Sequence, residues 1–326
     1  MTSFAFVFPG QGSQSVGMGR DLAAASPAAA AVFATADEAL GEPISSLAFE
    51  GPEDRLNLTE NAQPALLATS IAYLAAAHER ASAAGMTLPN PRFYAGHSMG
   101  QYSAMVASSA LTLPDGIRLV RERGRLMQAS GHGRDGAMAA ILGLADDAIP
   151  ALVERAGAHG VFAVANRNSP GQIVVSGERA AIDAAGEIAK ELGAKRAVVL
   201  PVSVAAHSPL MAEAAEGMRR VLAGVGFREP TAALLANADA RVLLDGEGAR
   251  GELVEHLTKG VDWVAAVQTM AADGVDTFLE LGPGKVLTNL IRRIAPEATA
   301  IAMDDVLAGD GLDLPFLVPA DPGRLS

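Results

Sequence analysis

Apolar residues fall into short unbroken runs and longer Ala-rich stretches. Phe4-Ala5-Phe6-Val7-Phe8 is an uninterrupted apolar run closed by Pro9-Gly10, the pattern of a strand buried on both faces. Leu22–Leu40 and Asn61–Ala84 predict helices, the second with Pro64 tolerated near its start. Pro91–Ala95 predicts a short strand, Gln101–Ala107 the opening of a helix, and Ile117–Ser130 another helix. The rhythm then shortens: Gly136–Leu144 strand, Asp146–Ala156 helix, Gly160–Ala165 and Gln172–Ser176 strands, Glu178–Leu192 helix, Arg196–Val202 strand. That order, β-α-β-β-α-β, is ferredoxin-like and predicts a small subdomain inserted between Arg134 and Ser203. Longer helices follow, and a strand over Thr277–Leu281 leads through Gly282-Pro283-Gly284 into a helix over Lys285–Ile294. The last stretch, with Pro315, Pro319 and Pro322, predicts a loosely ordered tail.

Composition narrows the class. Half of the 326 residues are apolar and 4% are aromatic, so small side chains let helices pack closely on a sheet. With no cysteine there is no disulfide, no thiolate metal site and no cysteine nucleophile. The net charge of −12 argues against nucleic acid and against anionic membranes as partners. No apolar run is long enough to span a bilayer, and Met1-Thr2-Ser3-Phe4 lacks the basic start of a signal peptide, so a cytoplasmic protein is expected.

The strongest chemical signal is Gly96-His97-Ser98-Met99-Gly100, a Gly-x-Ser-x-Gly pattern between a predicted strand and a predicted helix. Such an elbow exposes the serine hydroxyl on a tight turn and aims the next backbone N–H at the same point. The other glycine-rich loops do not fit phosphate fingerprints. Gly10-Gln11-Gly12-Ser13-Gln14-Ser15 has Ser15 where a dinucleotide loop has glycine. Gly282-Pro283-Gly284-Lys285 runs into Val286 where a P-loop has Ser or Thr. Of the six histidines, His207 stands apart because it ends the extended segment Val198–Ala206 just before Ser208-Pro209, where a ring can face a cleft; by position alone it reads first as a loop histidine. Arg123 reads, by position alone, as one of a helix-surface set with Arg118, Arg121 and Arg125.

These residues resemble the malonyl-CoA:acyl-carrier-protein transacylases and the related acyltransferases of polyketide synthases. The shared anchors are Phe8–Gln14, Gln63-Pro64-Ala65-Leu66, the elbow, Arg123–Gln128, Asn168–Gln172, Val202-Ser203 with His207, and Glu280–Lys285, from Phe8 to about Met303. The resemblance implies an α/β, distantly hydrolase-like core with a parallel sheet plus an inserted ferredoxin-like subdomain. Residues 1–133 and 204–304 would form the large part, 134–203 the small part and 305–326 the tail. It implies Ser98 as nucleophile, His207 as base, the N–H groups of Gln11 and Met99 as oxyanion hole, and Arg123 as receptor of the acyl carboxylate. The backbone carbonyl of Asp262, before Trp263, would orient His207. Gln63, His97, Asn166, Val204 and Ala206 would shape the pocket. Val204-Ala205-Ala206 matches neither the usual malonyl nor the usual methylmalonyl pattern, leaving methylmalonyl or ethylmalonyl as alternative substrates. Lys190, Lys195 and Arg196 form a basic cluster that could meet an acidic acyl carrier protein. The implied substrate is malonyl-CoA, with no permanently bound cofactor or metal, and the enzyme would act as a monomer in fatty acid or polyketide synthesis. A serine hydrolase or thioesterase is the competing class, although its histidine would come late, after an Asp or Glu.

Overall fold

Phe4–Phe8 lies inside the larger of two principal sheets, flanked by strands on both sides. The structure, a computed structural model, describes residues 2–131, 133, 135–202, 204–308 and 316–319. In spatial order the six-stranded sheet contains Thr299–Ala302, Thr277–Glu280, Phe4–Phe8, Phe93–Gly96, Ala233–Leu235 and Val242–Leu243. The first five run parallel, and Val242–Leu243 is antiparallel to its neighbour. Every residue of Phe4–Phe8 and Phe93–Gly96 is buried, which is why these strands read as unbroken apolar runs rather than alternating ones.

Helices cover the sheet. One helix was expected over Leu22–Leu40; two form, Arg20–Ala25 and Pro27–Leu40. The break follows from Ser26, whose side chain accepts the Ala29 N–H as an N-cap, and from Pro27 at the first helical position. Thr59–Ala83 is buried along most of its length and packs against Leu113–Gly131. At their closest approach, a Cβ on Gly124 would lie 2.5 Å from the Glu60 Cα. The neighbouring Arg123 is buried.

The second sheet has the order Val261–Asp262, Phe162–Ser169, Gln172–Glu178, Gly136–Leu142, Arg196–Val199. Its last four strands, with helices Ile149–Gly157 and Arg179–Glu191, have the ferredoxin-like connectivity expected from the sequence. The fifth strand, Val261–Asp262, comes from outside residues 134–203 and pairs parallel with Phe162–Ser169, tying the small unit to the large one. The expected boundary residues Arg134 and Ser203 lie outside the described residues.

Two expectations need correction. The extended segment to Ala206 stops earlier: the strand ends at Val199, and His207 sits in a turn with φ 59°. The tail assigned from residue 305 begins inside a helix, Met303–Leu307, whose Met303 is fully buried. Further on, Phe316 packs edge-on against Phe4, and Val318–Pro319 pairs with Met86–Thr87. Aromatic burial and strand pairing hold residues 316–319; residues 309–315 and 320–326 of that tail, with Pro315 and Pro322, lie outside the described residues.

Candidate active site

Two loops meet at the carboxyl ends of adjacent parallel strands, where open α/β sheets place their ligands. The first follows Phe4–Phe8 and the second is the elbow after Phe93–Gly96. Ser98 has φ 53°, a left-handed conformation that costs a non-glycine residue about 1–3 kcal/mol and persists only where the surroundings hold it. The glycines are sterically required: a Cβ on Gly96 would lie 2.0 Å from the Gly100 carbonyl carbon, and one on Gly100 would lie 2.2 Å from Phe8 O. A Cβ on Gly10 would meet His97 O at 2.5 Å, so the Pro9–Gly12 loop rests on the elbow.

Asn237 holds the strained turn. Its Oδ1 accepts the Ser98 N–H at 2.8 Å, its Nδ2 donates to Gly96 O at 3.0 Å, and its own N–H donates to Glu252 Oε1 at 2.6 Å. Gln101 adds a second brace, accepting the Gly96 N–H at 3.1 Å and donating to Leu235 O at 2.8 Å. Glu252 is fully buried, and desolvation pushes its carboxyl up to about 8.

The reactive groups converge on Ser98 Oγ. His207 Nε2 lies 2.8 Å away, and His207 Nδ1 lies 2.6 Å from the backbone oxygen of His256. A carbonyl only accepts, so Nδ1 carries the proton and Nε2 its lone pair; Ser98 therefore donates to His207. Burial first, then the neighbouring His256 and Arg123, hold His207 well below the usual histidine range, so the ring is neutral at neutral pH. Arg123 is also buried; its Nη2 donates to Ser98 Oγ at 3.2 Å and lies 3.2 Å from His256 Nε2. Its Nε has no hydrogen-bond partner and no carboxylate pairs with it among the described residues. The Tyr102 ring lies 5.9 Å from the guanidinium carbon.

The Asp262 assignment is overturned. The carbonyl on His207 belongs to His256, six positions earlier. Asp262 instead caps the helix Trp263–Ala272, accepting the Ala265 N–H at 2.9 Å, and pairs with Arg167 at 3.2 Å.

The remaining candidates scatter around this centre. Met99 is the N-cap of the helix Gly100–Ala107, so its N–H belongs to the unsatisfied donors of a helix N-terminus. Gln11 lies on the Pro9–Gly12 loop, with its exposed side chain reaching Thr59 Oγ1 at 3.4 Å. Gln63 is fully buried beside Met127, one turn from Arg123, and its Oε1 is unpartnered. His97 bridges the elbow to the small sheet: its Nε2 lies 2.8 Å from Asn168 Oδ1 and 3.5 Å from Asn166 Nδ2. Register shifts in Phe162–Ser169 flank both asparagines, a device that re-aims side chains beside sites. Val204 is buried in the main core, and Ala206, half-buried, adjoins His207. Lys190, Lys195 and Arg196 are exposed on the small unit, with Lys190 paired to Glu187 at 2.7 Å. Asn237, Gln101 and the His256 carbonyl were not anticipated.

A family model described as "Acyl transferase domain" matches residues 5–309. The chain belongs to this acyltransferase family. It is 43% identical to the malonyl CoA-acyl carrier protein transacylase of Escherichia coli strain K12, over 94% of this chain and 97% of that protein. The same identity holds for the Bacillus subtilis strain 168 protein of that name, over 94% of each chain. Among solved structures, an acyl carrier protein S-malonyltransferase from Vibrio cholerae superposes with TM-score 0.87 at 41% identity, covering 92% of this chain and 96% of that one. A type II PKS acyl-carrier protein in complex with its malonyl-transacylase gives TM-score 0.87 at 40% identity, covering 92% and 96%. The fold of this acyltransferase is thus the α/β core with a small subdomain that the sequence led us to expect. Among the described residues, no helix is long and apolar enough to cross a membrane.

Proposed function

We propose that this acyltransferase moves a malonyl group from coenzyme A to the phosphopantetheine thiol of an acyl carrier protein, for fatty acid or polyketide synthesis. The observation that carries the choice of acyl group is Arg123: a buried guanidinium, without a carboxylate partner among the described residues, touching the candidate nucleophile. A buried cation without a partner is costly, and a free acyl carboxylate supplies what is missing. Acetyl and longer fatty acyl groups do not.

The geometry supports a two-step exchange. His207 Nε2 takes the proton of Ser98 as Oγ bonds to the thioester carbonyl carbon. Negative charge develops on the carbonyl oxygen, toward the N–H groups of Met99 and Gln11; one such donor is worth about 3–4 kcal/mol in the transition state. The carbon–sulfur bond breaks, and His207 returns its proton to the departing thiolate. In the second half, His207 deprotonates the carrier thiol, whose sulfur attacks the ester carbonyl. The carbon–oxygen bond breaks and Ser98 recovers its proton. Neutral His207, with Nδ1 donating to His256 O, has the tautomer both halves need. Lys190, Lys195 and Arg196 are our candidate contacts for the carrier, with Lys195 and Arg196 foremost because Lys190 is already ion-paired. The cytoplasm, where these thioesters are made and used, is the compartment this reading implies.

Arg123→Ala tests the reading. Removing one side of a buried carboxylate pair costs about 3–5 kcal/mol, so kcat/KM for malonyl-CoA falls roughly 100-fold to 1000-fold or more while acetyl-CoA becomes a better donor. Equal losses for both donors would remove Arg123 from substrate selection.

A further inference from the structure

His256 meets the site twice. Its backbone oxygen receives His207, and its imidazole reaches Arg123, with Nε2 3.2 Å from Nη2. A guanidinium only donates, so His256 Nε2 presents its lone pair and the ring proton sits on Nδ1. Nδ1 faces Glu252, one helical turn earlier, whose Oε1 is 3.5 Å away. The ring is fully buried, and burial together with the Arg123 charge keeps it neutral, so the lone pair is available.

We propose that the His256 side chain is a positioning residue for acyl selection: its Nε2 fixes the Arg123 guanidinium beside Ser98, in the orientation that receives the acyl carboxylate. The inference rests on the reading of Arg123 given above. Arginine has a long stem whose rotational freedom must be suppressed before its planar fork can select a carboxylate. Among the described residues, the Tyr102 ring and Ser98 Oγ also lie against Arg123, and neither can do this throughout the reaction. The Tyr102 ring offers a face but no direction. Ser98 Oγ is a direct contact, but it becomes an ester oxygen in the acyl-enzyme, so that hydrogen bond changes at each half-reaction. The contact to His256 involves no reacting atom and persists through both halves.

Every residue at position 256 retains a backbone carbonyl, so substitution separates the two roles. In the full chain, His256→Leu removes the acceptor and His256→Gln restores one through its amide oxygen. Initial rates of acylation by malonyl-CoA and acetyl-CoA are compared. In His256→Leu the KM for malonyl-CoA rises, and the malonyl-to-acetyl ratio of kcat/KM falls roughly 10-fold to 100-fold, the size of a lost hydrogen bond to a charged group. His256→Gln recovers much of the ratio. His256→Ala serves as a second acceptor-free variant if leucine prevents folding. An unchanged ratio, or equal losses for both donors, overturns the proposal. Arg123→Ala, run alongside, separates the two failures: a shifted ratio there with none in His256→Leu removes only the role of His256, whereas no shift in either removes the reading of Arg123 itself.

Discussion

Asn237→Ala should loosen the elbow without touching a reacting atom. The side chain satisfies two backbone groups of the turn, the Ser98 N–H at 2.8 Å and the Gly96 carbonyl at 3.0 Å. Alanine satisfies neither. An unsatisfied buried group costs about 1–3 kcal/mol. The Gly96 carbonyl is buried and bears that cost in full, whereas Ser98 is partly exposed and water recovers some of it. The expected destabilisation is about 2–4 kcal/mol. The left-handed backbone of Ser98 also loses its restraint, so Oγ leaves the 2.8 Å contact with His207 part of the time. Urea unfolding reads the first effect and the pre-steady-state rate of Ser98 acylation reads the second. Both should fall, with KM for malonyl-CoA little altered because Arg123 is held from another helix. An unfolding midpoint equal to that of the unmodified protein would show that these hydrogen bonds do not hold the turn.

Three further outcomes follow from the charges. His207 is held well below its ordinary range by burial, then by the neighbouring His256 and Arg123, so the neutral base survives as pH falls through 6.5. The acidic limb of kcat/KM for acylation should lie below that pH, and a limb above it would contradict the assignment. Arg123→Ala removes one positive neighbour and should move the limb upward. Charge reversal at Lys195 and Arg196 should raise KM for the carrier protein and flatten its salt dependence, leaving acylation by malonyl-CoA unchanged. Carrier kinetics identical to the unmodified protein would place docking elsewhere.

Legibility of the sequence varied with the kind of signal each residue leaves. Phe4–Phe8 and the elbow were readable because steric demands dictate residue type: apolar on both faces of a buried strand, glycine where a Cβ would strike Phe8 O or the Gly100 carbonyl. The ferredoxin-like unit was readable from the alternation of its strands and helices. Asn237 was not, because Ala233–Leu235 is only three residues long within an Ala-Leu stretch, and an asparagine after it reads as ordinary loop. The His207 partner was misplaced at Asp262 because a backbone carbonyl imposes no residue type, so nothing in the sequence distinguishes His256 for that task. Arg123 looked like its neighbours by spacing alone; Arg118 and Arg125 are exposed, whereas Arg121 and Arg123 are buried on the same helix. The family resemblance located Arg123 where periodicity did not.

What becomes attached to Ser98 decides the acyl group this enzyme carries. Intact-mass measurement of the protein mixed with equal amounts of malonyl-CoA and acetyl-CoA should show a single malonyl adduct, absent from Ser98→Ala. A dominant acetyl adduct, or a malonyl adduct that survives in Ser98→Ala, would contradict malonyl transfer through Ser98.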